Sequence, residues 1–158
     1  MEWMFKKAWV MRMLLNLWPP LFFSRIKLML LTPDFKHARV RLSLSAWNRN
    51  VVGSHFGGSI FAMTDPFYML MLMHYLRAEY HVWDKSADID FIKPGKGKIY
   101  ADFIITDETI KDIKKKTQSG EKYLPSFEIF IKDENNELIA KVNKTLYIRK
   151  KKRLRAGQ

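Results

Sequence analysis

The chain has 158 residues, 47% of them apolar, no cysteine and a formal charge of +12. That length fits one domain with a substantial core, and the apolar content excludes a disordered chain. Without cysteine there is no thiol nucleophile, disulfide or thiolate-bound metal, which suits a reducing, cytoplasmic setting.

Taken in chain order, Trp3, Met4, Phe5, Trp9, Val10, Met13, Leu14, Leu17 and Trp18 cover a broad helical face, opposite Glu2, Lys6, Arg12 and Asn16. The pattern predicts an amphipathic helix over residues 1–20, stopped by Pro19-Pro20. Arg12 interrupts the apolar run and no small-residue cleavage site follows, so neither a signal peptide nor a membrane span is expected. Such a helix docks on its own domain or on a second copy, or lies in a membrane interface as a peripheral contact. A short strand follows over Ile26–Leu31, turned by Thr32-Pro33-Asp34. Val40, Leu42 and Leu44 then alternate with polar residues, the period of a strand with one wet face.

Residues 59–77 show no wide polar stripe, so this helix must be buried on nearly every side. Alternation resumes in Ala87, Ile89 and Phe91, and again in Ile99, Ala101, Phe103 and Ile105, with Pro94-Gly95-Lys96-Gly97 between them reading as a hairpin turn. A short helix is predicted over residues 107–118 with Asp107 as N-cap. Two further strands flank a turn at residues 133–136. The economical packing is α+β: a curved antiparallel sheet wrapped around one central helix. The folded body spans residues 21–149, and residues 150–158 form a basic tail. Arg149, Lys150, Lys151, Lys152, Arg153 and Arg155 carry half the net charge. No aromatic-rich RNA motif or zinc-finger spacing accompanies them, so no nucleic acid partner is expected.

Residues 48–66 concentrate the functional signal. A polar loop with Asn48, Asn50 and His55 runs through Phe56 into the pair Gly57-Gly58, where the backbone allows a ligand to approach closely. Asp65 follows seven residues after Gly58, two helical turns along, so both can face one cleft. Two structural alternatives stand beside that reading. Thr64-Asp65-Pro66 is also a capping signature, with the helix proper starting at Pro66; or the helix starts near Gly58 and kinks at Pro66. Met63, Met69, Met71 and Met73 suit either an adaptable acyl pocket or simple core filling. His74 reads as a core histidine, and the histidines show no metal-ligand spacing, so no metal is expected. Asp84 and Lys85 read as a surface ion pair.

The element order, the Trp47-Asn48-Arg49-Asn50 to Asp65-Pro66 stretch and the string Val82-Trp83-Asp84-Lys85 resemble the hot-dog fold of single-domain acyl-CoA thioesterases. Over residues 17–149 the chain is most similar to a bacterial hot-dog family of unassigned function, related to phenylacetyl-CoA-type thioesterases. The resemblance implies hydrolysis of a coenzyme A or acyl-carrier-protein thioester, with no cofactor beyond the coenzyme carried by the substrate. It assigns Asp65 as general base or nucleophile, the Gly58 N–H to the oxyanion, and Asn50 to the attacking water. Asn48, His55, Phe56, Gly57, Met63 and Trp83 complete the implied substrate-binding set. The strand carrying Trp83 is placed at a homodimer seam, with a tetramer as a further assembly. One departure is plain: Phe56 stands where catalytic relatives have histidine, and His55 falls one residue early. A non-catalytic acyl-CoA-binding module is the alternative this departure supports.

Overall fold

In the computed structural model, described over residues 7–151, helices α1 (Ala8–Leu17) and α2 (Pro19–Phe23) lead into strands β1 (Ile26–Leu31) and β2 (His37–Ser43). Helices α3 (Gly57–Ala62) and α4 (Phe67–Leu76) follow, then a single 3-10 turn, β3 (Tyr80–Phe91), β4 (Lys98–Ile104) and α5 (Asp107–Lys116). The short β5 (Lys122–Tyr123) and the hairpin β6 (Ser126–Asp133) and β7 (Leu138–Lys150) complete the chain. Of the expected N-terminal face, Trp3, Met4 and Phe5 lie outside the described residues, as do the tail cations Lys152, Arg153 and Arg155.

One seven-stranded antiparallel sheet runs β1-β2-β4-β6-β7-β3, with β5 also pairing with β7. Its inner face is read directly from the period of two: Ala38, Val40 and Leu42 in β2, Ile99, Ala101 and Phe103 in β4, and Val142, Leu146 and Ile148 in β7 are buried. Phe67, Met71, Leu72 and Leu76 of α4 complete the core against this face. Burying each such side chain contributes about 1.5–3 kcal/mol.

Four local expectations need correction. The central helix is not continuous, because Pro66 has no N–H to donate and its ring crowds the preceding turn. α3 closes at Ala62, whose carbonyl accepts from the Asp65 N–H at 3.1 Å, and α4 begins after a cis Asp65–Pro66 peptide. Asp65 is therefore not an N-cap, and no side-chain cap bond is made there. Pro19-Pro20 does not simply end a helix but opens α2, where a fixed φ and a missing N–H are tolerated. Residues 94–97 do not form a hairpin: β3 pairs with β7 and β4 with β2 and β6, so the segment crosses the sheet. The crossing segment is tied down by Ile92 and Lys93 N–H bonds to the Ile139 carbonyl. Finally, Thr106 rather than Asp107 caps α5, accepting from the Thr109 N–H.

The two ends of the sheet differ. β1 is covered by α1, whose Asn16 side chain both donates to the Leu28 carbonyl and accepts from the Leu28 N–H. Arg12 adds a bond to the Met29 carbonyl. Among the described residues no element pairs with or covers the outer edge of β3 along its 12 residues, which leaves the backbone groups of that edge open to pairing.

Candidate functional site

The loop before α3 is built by two saturated carboxamides. Asn48, buried, accepts from the Ser45 N–H and hydroxyl and donates to the carbonyls of Ser24 and Ser43, at 2.8–3.2 Å. Asn50 accepts from the N–H groups of Val52 and Ser54 and donates to the Ser54 hydroxyl and the His55 carbonyl. Each amide thereby uses its full donor and acceptor capacity within the loop. Asn48 thus clamps the loop to the end of α2 and to β2, and Asn50 keeps its four bonds within the loop. Asn48→Ala is expected to cost about 2–4 kcal/mol in urea unfolding, because it strands buried partners on both sides.

Beyond this loop, His55, Asn50 and Gly57 line a cavity of about 360 Å³ with Ile60 and Phe91. The His55 Nε2 lies 3.2 Å from the Gly97 carbonyl, and its buried Nδ1 has no hydrogen-bond partner among the described residues. Burial pushes its pKa below the usual histidine value, which favours the neutral ring.

The glycine pair has a steric reason that sequence reading did not supply. A Cβ on Gly57 would lie 3.0 Å from the Phe91 ring, and one on Gly58 2.3 Å from the Phe56 ring. Phe56, 57% exposed, folds over Gly58. The N–H groups of Gly57 and Gly58 open α3 and, among the described residues, meet no backbone acceptor. With only six residues, α3 adds little macrodipole, so any anion stabilisation there rests on these N–H groups themselves.

Asp65 sits in the turn between α3 and α4 with a side chain 54% exposed. Facing it is Lys144 of β7, whose side chain is only 3% exposed; its Nζ lies 3.5 Å from Asp65 and 3.1 Å from Asp84 of β3. Asp84 thus pairs with Lys144, not with Lys85 as expected. Burial, reinforced by the neighbouring Asp65 carboxyl and only partly offset by the Lys144 ammonium, pushes the Asp84 pKa up to about 6. Its Oδ1 is buried with no hydrogen-bond partner among the described residues. Lys144 was missed in sequence because nothing there distinguishes it from its neighbours Lys141 and Lys150. The available signal was its register, since it shares the inward period of Val142 and Leu146.

The remaining expected residues do not join this group. Met63 is fully buried in the core. Trp83 lies one residue from Asp84 and so points to the other sheet face, stacked on Tyr147 at 4.1 Å between centroids. Asp65 does not line the His55 cavity, although α3 borders both. Among the described residues no group of three or more His, Asp or Glu side chains is placed to hold a metal.

An antiparallel sheet packed on a central helical segment, entered through a Gly-Gly turn, defines the hot-dog fold. The chain belongs to the family described as a domain of unknown function (DUF4442), matched over residues 6–148. It is similar to a Pseudomonas aeruginosa protein of unknown function called a "probable thioesterase": 22% identity, TM-score 0.75, covering 89% of this chain and 93% of that one. A second similar structure is the thioesterase HI1161 of Haemophilus influenzae, at 13% identity and TM-score 0.67 over 95% of each chain. A third is the thioesterase SAV0944 of Staphylococcus aureus, at 15% identity and TM-score 0.62, covering 82% of this chain and 98% of that one. At these identities the likeness establishes the fold. No curated protein matches the chain.

Proposed function

We propose that the chain hydrolyses an acyl thioester of coenzyme A or of an acyl carrier protein, with Asp65 as the reacting carboxylate. The observation that carries this reading is the arrangement around Asp65: a carboxylate open to solvent on one side and backed by a buried ammonium on the other. Water adds to the thioester carbonyl as Asp65 takes its proton, and the oxyanion accepts from the Gly58 N–H. Collapse breaks the C–S bond, and the proton passes from Asp65 to the departing thiolate, leaving a carboxylic acid and a free thiol.

The open β3 edge supports a homodimer in which two such strands pair. Phe91, at the end of β3, lines the His55 cavity, so pairing there would put the cavity beside the seam. Sedimentation equilibrium should return twice the chain mass; a monomer would remove this part of the reading.

Two observations favour a second reading, a module that binds acyl-CoA without cleaving it. The Phe56 ring covers Gly58, and the Asn50 amide is fully occupied by its own loop. Thiol release from short, medium, long and aromatic acyl-CoAs separates the two. Release above background supports the hydrolase; saturable binding across the panel with no release leaves the binding module.

A further inference from the structure

Residues 7–33 contain Lys7, Arg12, Arg25 and Lys27 and not one acidic residue. On the same stretch the large apolar side chains that face outward are unusually many. Trp9, Leu17 and Phe23 are 62%, 64% and 72% exposed, and Met13, Trp18 and Phe22 lie open beside them. Trp9, Met13 and Leu17 recur every four residues and so form one stripe of α1, opposite the face that packs through Val10, Met11 and Leu15. Scattered apolar residues on a surface need no explanation, but a continuous aromatic face does.

Beside this face, where α1, α2, β1 and β2 meet, is a cavity of about 310 Å³. Its polar lining is Asn16, Arg25, Lys27, Arg41 and Ser43, with Phe22 contributing apolar surface and no carboxylate present. The Nε of Arg41, one of these lining residues, is buried and has no hydrogen-bond partner among the described residues. A buried guanidinium donor with no acceptor, next to two further cations, matches a phosphate oxyanion. Aromatic side chains flanked by arginine and lysine, with no acid, match the interface of an anionic bilayer.

We propose that the α1–α2 face docks on an anionic phospholipid surface, with its aromatic side chains in the headgroup layer and a lipid phosphate held by Arg25, Lys27 and Arg41. This goes beyond the thioesterase reading and does not depend on it, since lipid binding is measured without turnover.

Co-sedimentation of the full chain with phosphatidylglycerol-containing vesicles, beside pure phosphatidylcholine vesicles, tests the proposal. Binding to the anionic vesicles is expected to be at least about tenfold tighter and to weaken with added salt. Phe22→Ser/Phe23→Ser should lower it by at least about tenfold, because both rings leave the headgroup layer. Arg41→Gln removes the buried donor, and Lys27→Gln, at an exposed strand position, provides a cavity variant whose folding is not at stake. Equal binding to both vesicle types, or binding unchanged in the Phe22→Ser/Phe23→Ser and Lys27→Gln variants, overturns the proposal. So does a lipid-free oligomer that falls apart in Phe22→Ser/Phe23→Ser, which would assign the face to a second copy. A Lys27-dependent rise in melting temperature with inorganic phosphate alone, without vesicle binding, would give the cavity to a soluble anion and equally overturn it.

Discussion

Asp65→Asn is expected to lower thiol release by about 10²–10⁴-fold while leaving the fold intact, with wild type assayed beside it on the most responsive acyl-CoA. The size follows from the role: the amide has nearly the same shape but accepts no proton from water. The fold should survive because Asp65 is half exposed, caps no helix, and contributes to its turn through its backbone N–H, which the substitution keeps. A melting curve that superimposes on wild type, together with lost turnover, would assign the chemistry to this carboxylate. Near wild-type turnover would sink the assignment of Asp65, whatever activity the protein shows.

Lys144→Met should be the most destabilising of the single changes at this site, by about 3–5 kcal/mol at pH 8. The substitution leaves the Asp84 and Asp65 carboxylates facing each other with no cation between them. The cost must depend on pH, and its sign follows from Asp84. With a folded-state pKa of about 6 against an ordinary 3.8, Asp84 holds its proton in the folded protein where the unfolded chain has already lost it. Its contribution to stability is complete below about pH 4 and is lost as pH rises through about 6. In the variant, protonated Asp84 relieves the carboxylate pair, so the penalty should shrink markedly at pH 5. Urea unfolding at the two pH values measures this directly. Adding Asp84→Asn to Lys144→Met should recover most of the loss at pH 8, as expected for groups that share one interaction. Equal destabilisation at both pH values would mean that Lys144 acts through packing of its alkyl stem and not through its charge.

Much of the fold was legible along the chain because strands with one wet face announce themselves. Val40 and Leu42, Ile99 and Ala101, and Ala87 and Ile89 alternate with polar neighbours, and each segment became a strand. The uniformly apolar stretch after Gly58 announced a buried helix with equal clarity. Its break was less legible, since Pro66 permits a cap, a kink or a full interruption, and only the neighbouring turn decides among them. The crossing at residues 94–97 was misread for a related reason. A Pro-Gly-Lys-Gly run specifies a change of direction, whereas which strand receives the chain depends on contacts far away in sequence.

The candidate site divides along the same line. Residue type and local spacing were enough to mark the Gly57-Gly58 pair, Asp65 and the polar loop, because close backbone approach and a carboxylate two turns onward are local properties. Whether Asn50 is a ligand or a loop clamp depends on how many of its bonds the neighbouring backbone consumes, which is a three-dimensional count. The ammonium of Lys144 comes from 79 residues away and reaches Asp65 only because β7 presents that position to the helix side of the sheet. By itself the sequence marked most of the elements and their inward faces, and singled out Asp65 as the candidate carboxylate. Tertiary packing alone decided which strand edge stays open, which aromatic backs Gly57, and which charge stands behind Asp65, because pairing and burial join residues that no local pattern links.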